Sequence, residues 1–310
     1  MKKIGVIINP RAKKIRRMKT SAEETFTEAS HGCADIRITS DINDIGLYLK
    51  DFKKKGYKYI GVAGGDGTLH HVLTESIGIY GKKNIPPILI LKGGTMDNVS
   101  KTIDIHGWGP SILNRFAEKI KNGESITTHT RDTIKIKDRY CFLFGLGFVT
   151  NFLELAYKGE KGILKNIHVV LIGIYQAIIE NEKSPGYLYQ GFAADIIADG
   201  KKIPISYVRS LLCGTVEYIA TGLKPLYAAN HKNGTFHLLV SNLSPKEFIL
   251  KLHKFLRGIK FKHKDTYDNL CSKLLIKADR KFEYTMDGDI YFSDGELLIE
   301  TGPQIKLVYV

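Results

Sequence analysis

Four cysteines, Cys33, Cys141, Cys213 and Cys271, stand far apart in a chain of 310 residues, and none forms a CxxC pair. That spacing argues against a zinc site and against a disulfide scaffold, and it fits a reducing compartment. No low-complexity tract interrupts the sequence, so disorder is not expected beyond loops. No apolar run reaches the roughly 20 residues that cross a bilayer. The most apolar segment, IHVVLIGIYQAII at 167–179, reads as a buried or interfacial helix. Met1, Lys2 and Lys3 imitate the start of a secretory leader, but the apolar stretch behind them stops at Asn9 and Pro10 before a dense basic run, so no leader is expected. Acidic residues are the scarcer charge, 32 against 46 Lys and Arg, and the net charge of +14 favours anionic partners. No nucleic-acid reading module accompanies that charge, so nucleic acid is not an expected partner.

What is present is organised around YKYIGVAGGDGTLHHVL at 57–73. Tyr59, Ile60, Val62 and Ala63 predict a buried strand, and Leu69, Val72 and Leu73 return to helical spacing. Gly64, Gly65, Asp66, Gly67 and Thr68 therefore form a strand-to-helix turn. Glycines let backbone N–H groups converge on an oxyanion, and the following helix adds its positive N-terminal end. A carboxylate inside a phosphate cradle is repulsive by itself, so Asp66 is expected to face a divalent cation or to orient its water. A plain Gly/Asp turn is the bland alternative. PPILIL at 86–91 predicts a second strand, followed by Gly93, Gly94, Thr95, Met96, Asp97 and Asn98. Two glycine loops on neighbouring strands would share the sheet edge where open α/β sheets bind ligands.

GGDGT at 64–68 together with GGTMDN at 93–98 resembles the diacylglycerol kinase catalytic family, which includes sphingosine kinases and bacterial lipid kinases; the GGDGT core also occurs in NAD kinases and phosphofructokinases. The resemblance implies an α/β nucleotide domain followed by a β-sandwich, an ATP co-substrate and Mg²⁺. It implies nucleotide contacts at Asn9, Thr39, Gly64, Gly65, Asp66, Gly67, Thr68, Gly94, Thr95 and Asp97, and a magnesium-water network between Asp66 and Asp132. YTMDGDIY at 284–291 stands where the family carries DGE, whose glutamate is the general base; Asp289 takes that place on an arm one methylene shorter. The chain departs from the family pattern elsewhere too. Lys92 replaces a proline, Asp97 and Asn98 reverse the usual order, and Lys232–Asn233–Gly234 lacks the acidic pair that holds a structural magnesium.

Taken in order, the chain alternates strand and helix up to about residue 127 and is strand-rich afterwards, which predicts two domains: a mostly parallel α/β unit over 1–127, with the segment at about 296–310 a candidate to rejoin it, and a β-rich, sandwich-like unit over 128–295. Strands are expected at 3–8 and 34–39, a helix capped by Ser21 at 21–29, and another at 42–52. Basic side chains at Arg11, Lys13, Lys14, Arg16 and Arg17 either meet a triphosphate or stay solvated. Apolar helical faces at 152–157 and 165–179 either line a greasy acceptor pocket or form ordinary core. The basic, apolar stretch at 251–264 either docks on anionic lipid or is a solvated face.

These features lead to an expected ATP-dependent lipid kinase with diacylglycerol as acceptor, cytoplasmic and peripheral to the membrane, with a homodimer as one possible assembly. An NAD kinase, or a weakly catalytic nucleotide or lipid sensor, are the alternatives that the residues leave open.

Overall fold

In the computed structural model, residues 2–94, 98–157, 172–179, 187–219, 223–260 and 262–310 are described. The chain opens with four strands, β1 (Ile4–Ile8), β2 (Ala34–Ile38), β3 (Tyr59–Ala63) and β4 (Ile88–Ile90). They lie parallel in the order β2-β1-β3-β4. Every residue of β1 is buried. A strand covered by helices on both faces reads as such an unbroken apolar run rather than as alternation.

Between these strands run the helices Ala22–Ala29, Asp44–Lys54 and Asp66–Tyr80. The first is capped as its sequence predicts, Ser21 Oγ accepting the Glu24 N–H. The second begins two residues later than its periodicity suggests. The reason lies in Asp44, whose carboxylate accepts the N–H groups of Ser40 and Asp41 at 2.8 and 3.0 Å and so holds residues 40–43 as a turn.

The chain leaves this sheet after Arg131 rather than at 127, because Thr127–Arg131 is itself an edge strand, antiparallel to the C-terminal strand Ile305–Tyr309. That last strand lies between β4 and Thr127–Arg131 and runs parallel to β4. The return therefore involves 305–309, while Glu296–Thr301 stays in the second domain, paired with Lys273–Lys277 and Ile134–Ile136. Leu307 is fully buried in the first core and sits opposite Ile88. Leu307→Ala is expected to cost about 3 kcal/mol through the cavity it leaves, read as a lowered urea midpoint.

The second domain is built on two six-stranded antiparallel sheets. Every second residue of the facing strands points inward: Leu274, Ile276, Leu297 and Ile299 from one sheet meet Phe144, Leu146, Leu238, Val240 and Met286 from the other. This is the packing of a sandwich, with its core between the sheets. Phe142, Leu143 and Leu212 from this domain join the buried cluster of the first, so the two units share a packed boundary. Phe148, Phe152, Tyr189 and Phe248 pack against one another at centroid separations of 4.9 to 6.1 Å, while Ile174, Tyr175, Ile178 and Ile179 are exposed, so the described part of the greasy segment is only partly core. Residues 165–171 of that segment lie outside the described residues. Among the described residues no helix is long and apolar enough to cross a membrane. All four cysteines are free thiols, three of them buried.

Candidate active site

A cleft of about 550 Å³ opens at the C-terminal ends of β1, β2 and β3. It is lined from the first domain by Asn9, Thr39, Gly65, Asp66, Gly67, Thr68 and Gly94, and from the second by Asp287, Gly288 and Asp289. Arg11, Lys13, Arg16 and Arg17 add four cations to the same walls. Ligand sites in open α/β sheets lie at this edge, and the volume suits a small organic ligand.

The first wall follows from the turn after β3. Gly65 caps the Asp66–Tyr80 helix with no side-chain hydrogen bond, so the first backbone N–H groups of a 15-residue helix are left for a ligand. The loop glycines answer to space rather than to a left-handed backbone, since none of Gly64, Gly65, Gly67, Gly93 or Gly94 has a positive φ. A Cβ on Gly93 would meet the Gly64 backbone nitrogen at 3.0 Å, and the two loops are joined there by the Gly93 N–H donating to Gly64 O at 2.9 Å. Asn9, delivered by β1, donates from Nδ2 to Thr68 Oγ1 at 2.9 Å, while its Oδ1 accepts the Arg11 N–H at 2.9 Å. Thr39 ends β2 with its N–H and its hydroxyl both donating to Ile8 O. Asp66 accepts the Asn98 N–H on both carboxylate oxygens at 3.2 Å, which ties the first loop to the helix after the second. Thr95 and Asp97 lie outside the described residues.

The second wall is a tight hairpin between Phe282–Met286 and Asp289–Ser293. Its two loop residues, Asp287 and Gly288, have φ of 48° and 98°, the pair of positive values that matches the twist of a two-residue hairpin. Asp287 turns inward, where its carboxylate accepts the N–H groups of Phe142 and Leu143 at 2.9 to 3.2 Å. Burial, together with the nearby Asp66 charge, pushes its carboxyl well above the usual carboxylate range, against those two donors. Asp289 instead stands over the first glycine loop. A Cβ on Gly67 would lie 3.2 Å from Asp289 Oδ1, so the bare glycine is what admits the carboxylate.

Asp132 is not among the residues that line the cleft. It is buried, and its Oδ2 accepts the Gly234 N–H at 3.0 Å, holding the loop at 232–234. That loop carries no acidic pair.

Two residues that sequence reasoning passed over complete the site. His70 and His71 are adjacent on the helix and point to different sides. His70 is fully buried, with Nδ1 2.8 Å from Tyr140 O and Nε2 3.0 Å from Tyr291 Oη. A carbonyl only accepts, so Nδ1 carries the proton and Nε2 accepts from the tyrosine, whose oxygen in turn accepts from Arg139 Nη1 at 3.1 Å. His70 thus pins the first domain's helix to the second domain in its neutral form. His71 Nε2 lies 3.1 Å from Asp289 Oδ2. Ligand atoms of His70, His71 and Asp289 fall within 4.8 Å of one another, but both His70 nitrogens are already engaged, so these three do not make a free metal triad. Histidine pairs carry no signal of their own in sequence, and the partner of His71 lies 218 residues away.

Burial lowers the His70 pKa from 6.5 to about 4, and the neighbouring His71 lowers it further in the same direction. The folded state therefore resists protonation that the unfolded chain accepts. This contribution is complete above pH 6.5 and is lost as pH falls through 4, an effect of about 3 kcal/mol. Between pH 7 and pH 4 the wild type is expected to lose more thermal stability than His70→Gln, which has no such proton to take up. Asp287, raised rather than lowered, contributes an opposite slope that both proteins share.

Solved structures with this arrangement of an α/β domain and a β-sandwich include a crystal structure of a diacylglycerol kinase from Bacillus anthracis str. Sterne, at TM-score 0.68 and 16% identity over 100% of this chain and 97% of that one. A second, described as a "putative diacylglycerol kinase" from the same organism, aligns at TM-score 0.70 and 20% identity with the same coverage. At such identities the likeness speaks for the fold. Residues 3–131, the stretch that holds both glycine loops, match the model of the diacylglycerol kinase catalytic domain. Proteins named "Putative lipid kinase" from Staphylococcus aureus strains Mu3 / ATCC 700698 and Newman are each 27% identical over 173 residues, covering 54% of this chain and 53% of theirs. The aligned stretch thus spans about half the length of the curated relatives it matches.

Proposed function

We propose that the protein is an ATP-dependent lipid kinase, which transfers the γ-phosphate of ATP to a lipid hydroxyl, with diacylglycerol as acceptor and phosphatidic acid as product. The observation that carries this reading is the meeting of Asp66 and Asp289 in one cleft, each from a different domain, around a glycine loop and four basic side chains. Phosphoryl transfer asks for little covalent chemistry from a protein and mainly for positioning, charge stabilisation and an acceptor base.

Each part has a candidate. The open N–H groups of the Asp66–Tyr80 helix and the Arg11, Lys13, Arg16 and Arg17 side chains hold the triphosphate. Asp66 fits a hard divalent cation, since carboxylate oxygen is its preferred donor and the residue stands where the phosphate loop meets the helix. Magnesium, when bound there, neutralises charge on the β- and γ-phosphates. Asp289 takes the proton of the acceptor hydroxyl; the freed oxygen lone pair forms the new O–P bond, and the β–γ bridging oxygen leaves with ADP and its bonding electrons. The family match and the names of the relatives support a lipid acceptor. An anionic membrane surface suits the helix Pro245–Arg257, which carries four basic side chains besides His253 and leaves Leu250 74% exposed.

The test is transfer of label from γ-labelled ATP with Mg²⁺ to a mixed lipid extract in detergent micelles, run beside a soluble reaction with NAD. A labelled lipid and unlabelled NAD are expected. Labelled NAD without labelled lipid would replace this reading with that of an NAD kinase.

A further inference from the structure

We propose that His71 is the positioning residue for Asp289, holding one carboxylate oxygen across the domain boundary so that the other faces the transferring phosphate. The inference rests on the kinase reading and concerns how its base is aimed. Asp289 has a single methylene between backbone and carboxylate, and its side chain is 43% exposed. A carboxylate so placed would ordinarily sample several orientations, and a base must stand within roughly 2.6–3.2 Å of the proton it removes.

The contacts of this carboxylate restrict it. Oδ2 lies 3.1 Å from His71 Nε2, and Oδ1 is the oxygen closer to the glycine loop, 3.2 Å from where a Cβ on Gly67 would stand against 3.4 Å for Oδ2. A carboxylate accepts, so the ring donates from Nε2. The donor itself is firmly held. His71 follows His70, which is tied to Tyr140 and Tyr291 of the second domain, and Thr74 Oγ1, one turn further along the helix, accepts the Tyr140 N–H at 3.1 Å. The helix that begins at Asp66 thus supplies both the phosphate-binding N-terminus and the group that aims the base. In the step itself the proton passes from the acceptor hydroxyl to Oδ1, while the Nε2–H bond to Oδ2 is kept throughout. His71 neither gains nor loses a proton.

The experiment compares His71→Ala, His71→Gln and Asp289→Asn, with the double variant His71→Ala/Asp289→Asn, in lipid phosphorylation under saturating ATP. Gln presents its side-chain NH₂ close to where the histidine Nε2–H stands. His71→Ala is expected to lower kcat by about 10- to 100-fold, the range of a lost charge-assisted hydrogen bond, with KM for ATP and Tm little changed. His71→Gln is expected to recover most of that loss. The double variant is expected to be no slower than Asp289→Asn alone, because the donor has no further role once the base is gone. His71→Ala within two-fold of wild type, equal losses in Ala and Gln, or losses that multiply in the double variant would each overturn the role of His71. Wild type that labels no lipid at all would instead overturn the kinase reading, and this inference with it.

Discussion

Asp289→Asn is expected to lower the rate of lipid phosphorylation by about 10²- to 10⁴-fold, the usual contribution of a positioned general base. The substitution keeps shape and keeps an oxygen for His71 Nε2–H to bond, so the hairpin and the domain boundary are retained. What it removes is basicity. The proposed reading places ATP on the opposite wall of the cleft, so KM for ATP is expected to stay near the wild-type value while kcat falls. Steady-state kinetics with varied ATP and varied lipid separates the two. An Asn variant within about three-fold of wild type would place the base elsewhere.

Asp66→Ala is expected to abolish measurable turnover, a loss of about 10³-fold or more, because a divalent cation's share of charge stabilisation amounts to several kcal/mol. The structural cost is smaller. Asp66 is the first residue of its helix and accepts the Asn98 N–H, whose loss costs the fold about 1–3 kcal/mol. The distinguishing signature is the metal response: the wild-type rate should climb with Mg²⁺, while the residual rate of the variant should barely respond. A secondary effect follows from the Asp66 charge that helps to raise the Asp287 carboxyl. Without that charge the Asp287 pKa should move back down, which NMR titration of the carboxyl carbon can follow.

The parallel half of the fold was legible because its signals are local. The unbroken apolar run of β1, the Ser21 cap and the glycine turns at 64–68 and 93–94 each state their structure within a few residues. The boundary at 127 slipped by four residues because a strand looks the same whichever sheet it joins, and the pairing of Thr127–Arg131 with Ile305–Tyr309 is a fact about residues far apart in the chain. The same limit governs the site. Asn9, Thr39, Asp66, Thr68 and Asp289 were found through motifs and do line one cleft. His70 and His71 were passed over because their meaning depends on Tyr140, Tyr291 and Asp289, which only the packed domains bring within reach. Asp132 shows the converse. Its position along the chain suggested a metal ligand, yet its carboxylate is turned to the Gly234 N–H.

One cleft between the domains is proposed to phosphorylate a lipid. This is tested most directly by a single reaction of γ-labelled ATP and Mg²⁺ with diacylglycerol micelles, using wild type, Asp66→Ala and Asp289→Asn side by side and resolving the products by chromatography. Labelled phosphatidic acid is expected from wild type and almost none from either variant, with both variants folded by their thermal melts. Equal label in all three proteins would contradict this reading, as would a folded, ATP-binding wild type that labels no lipid.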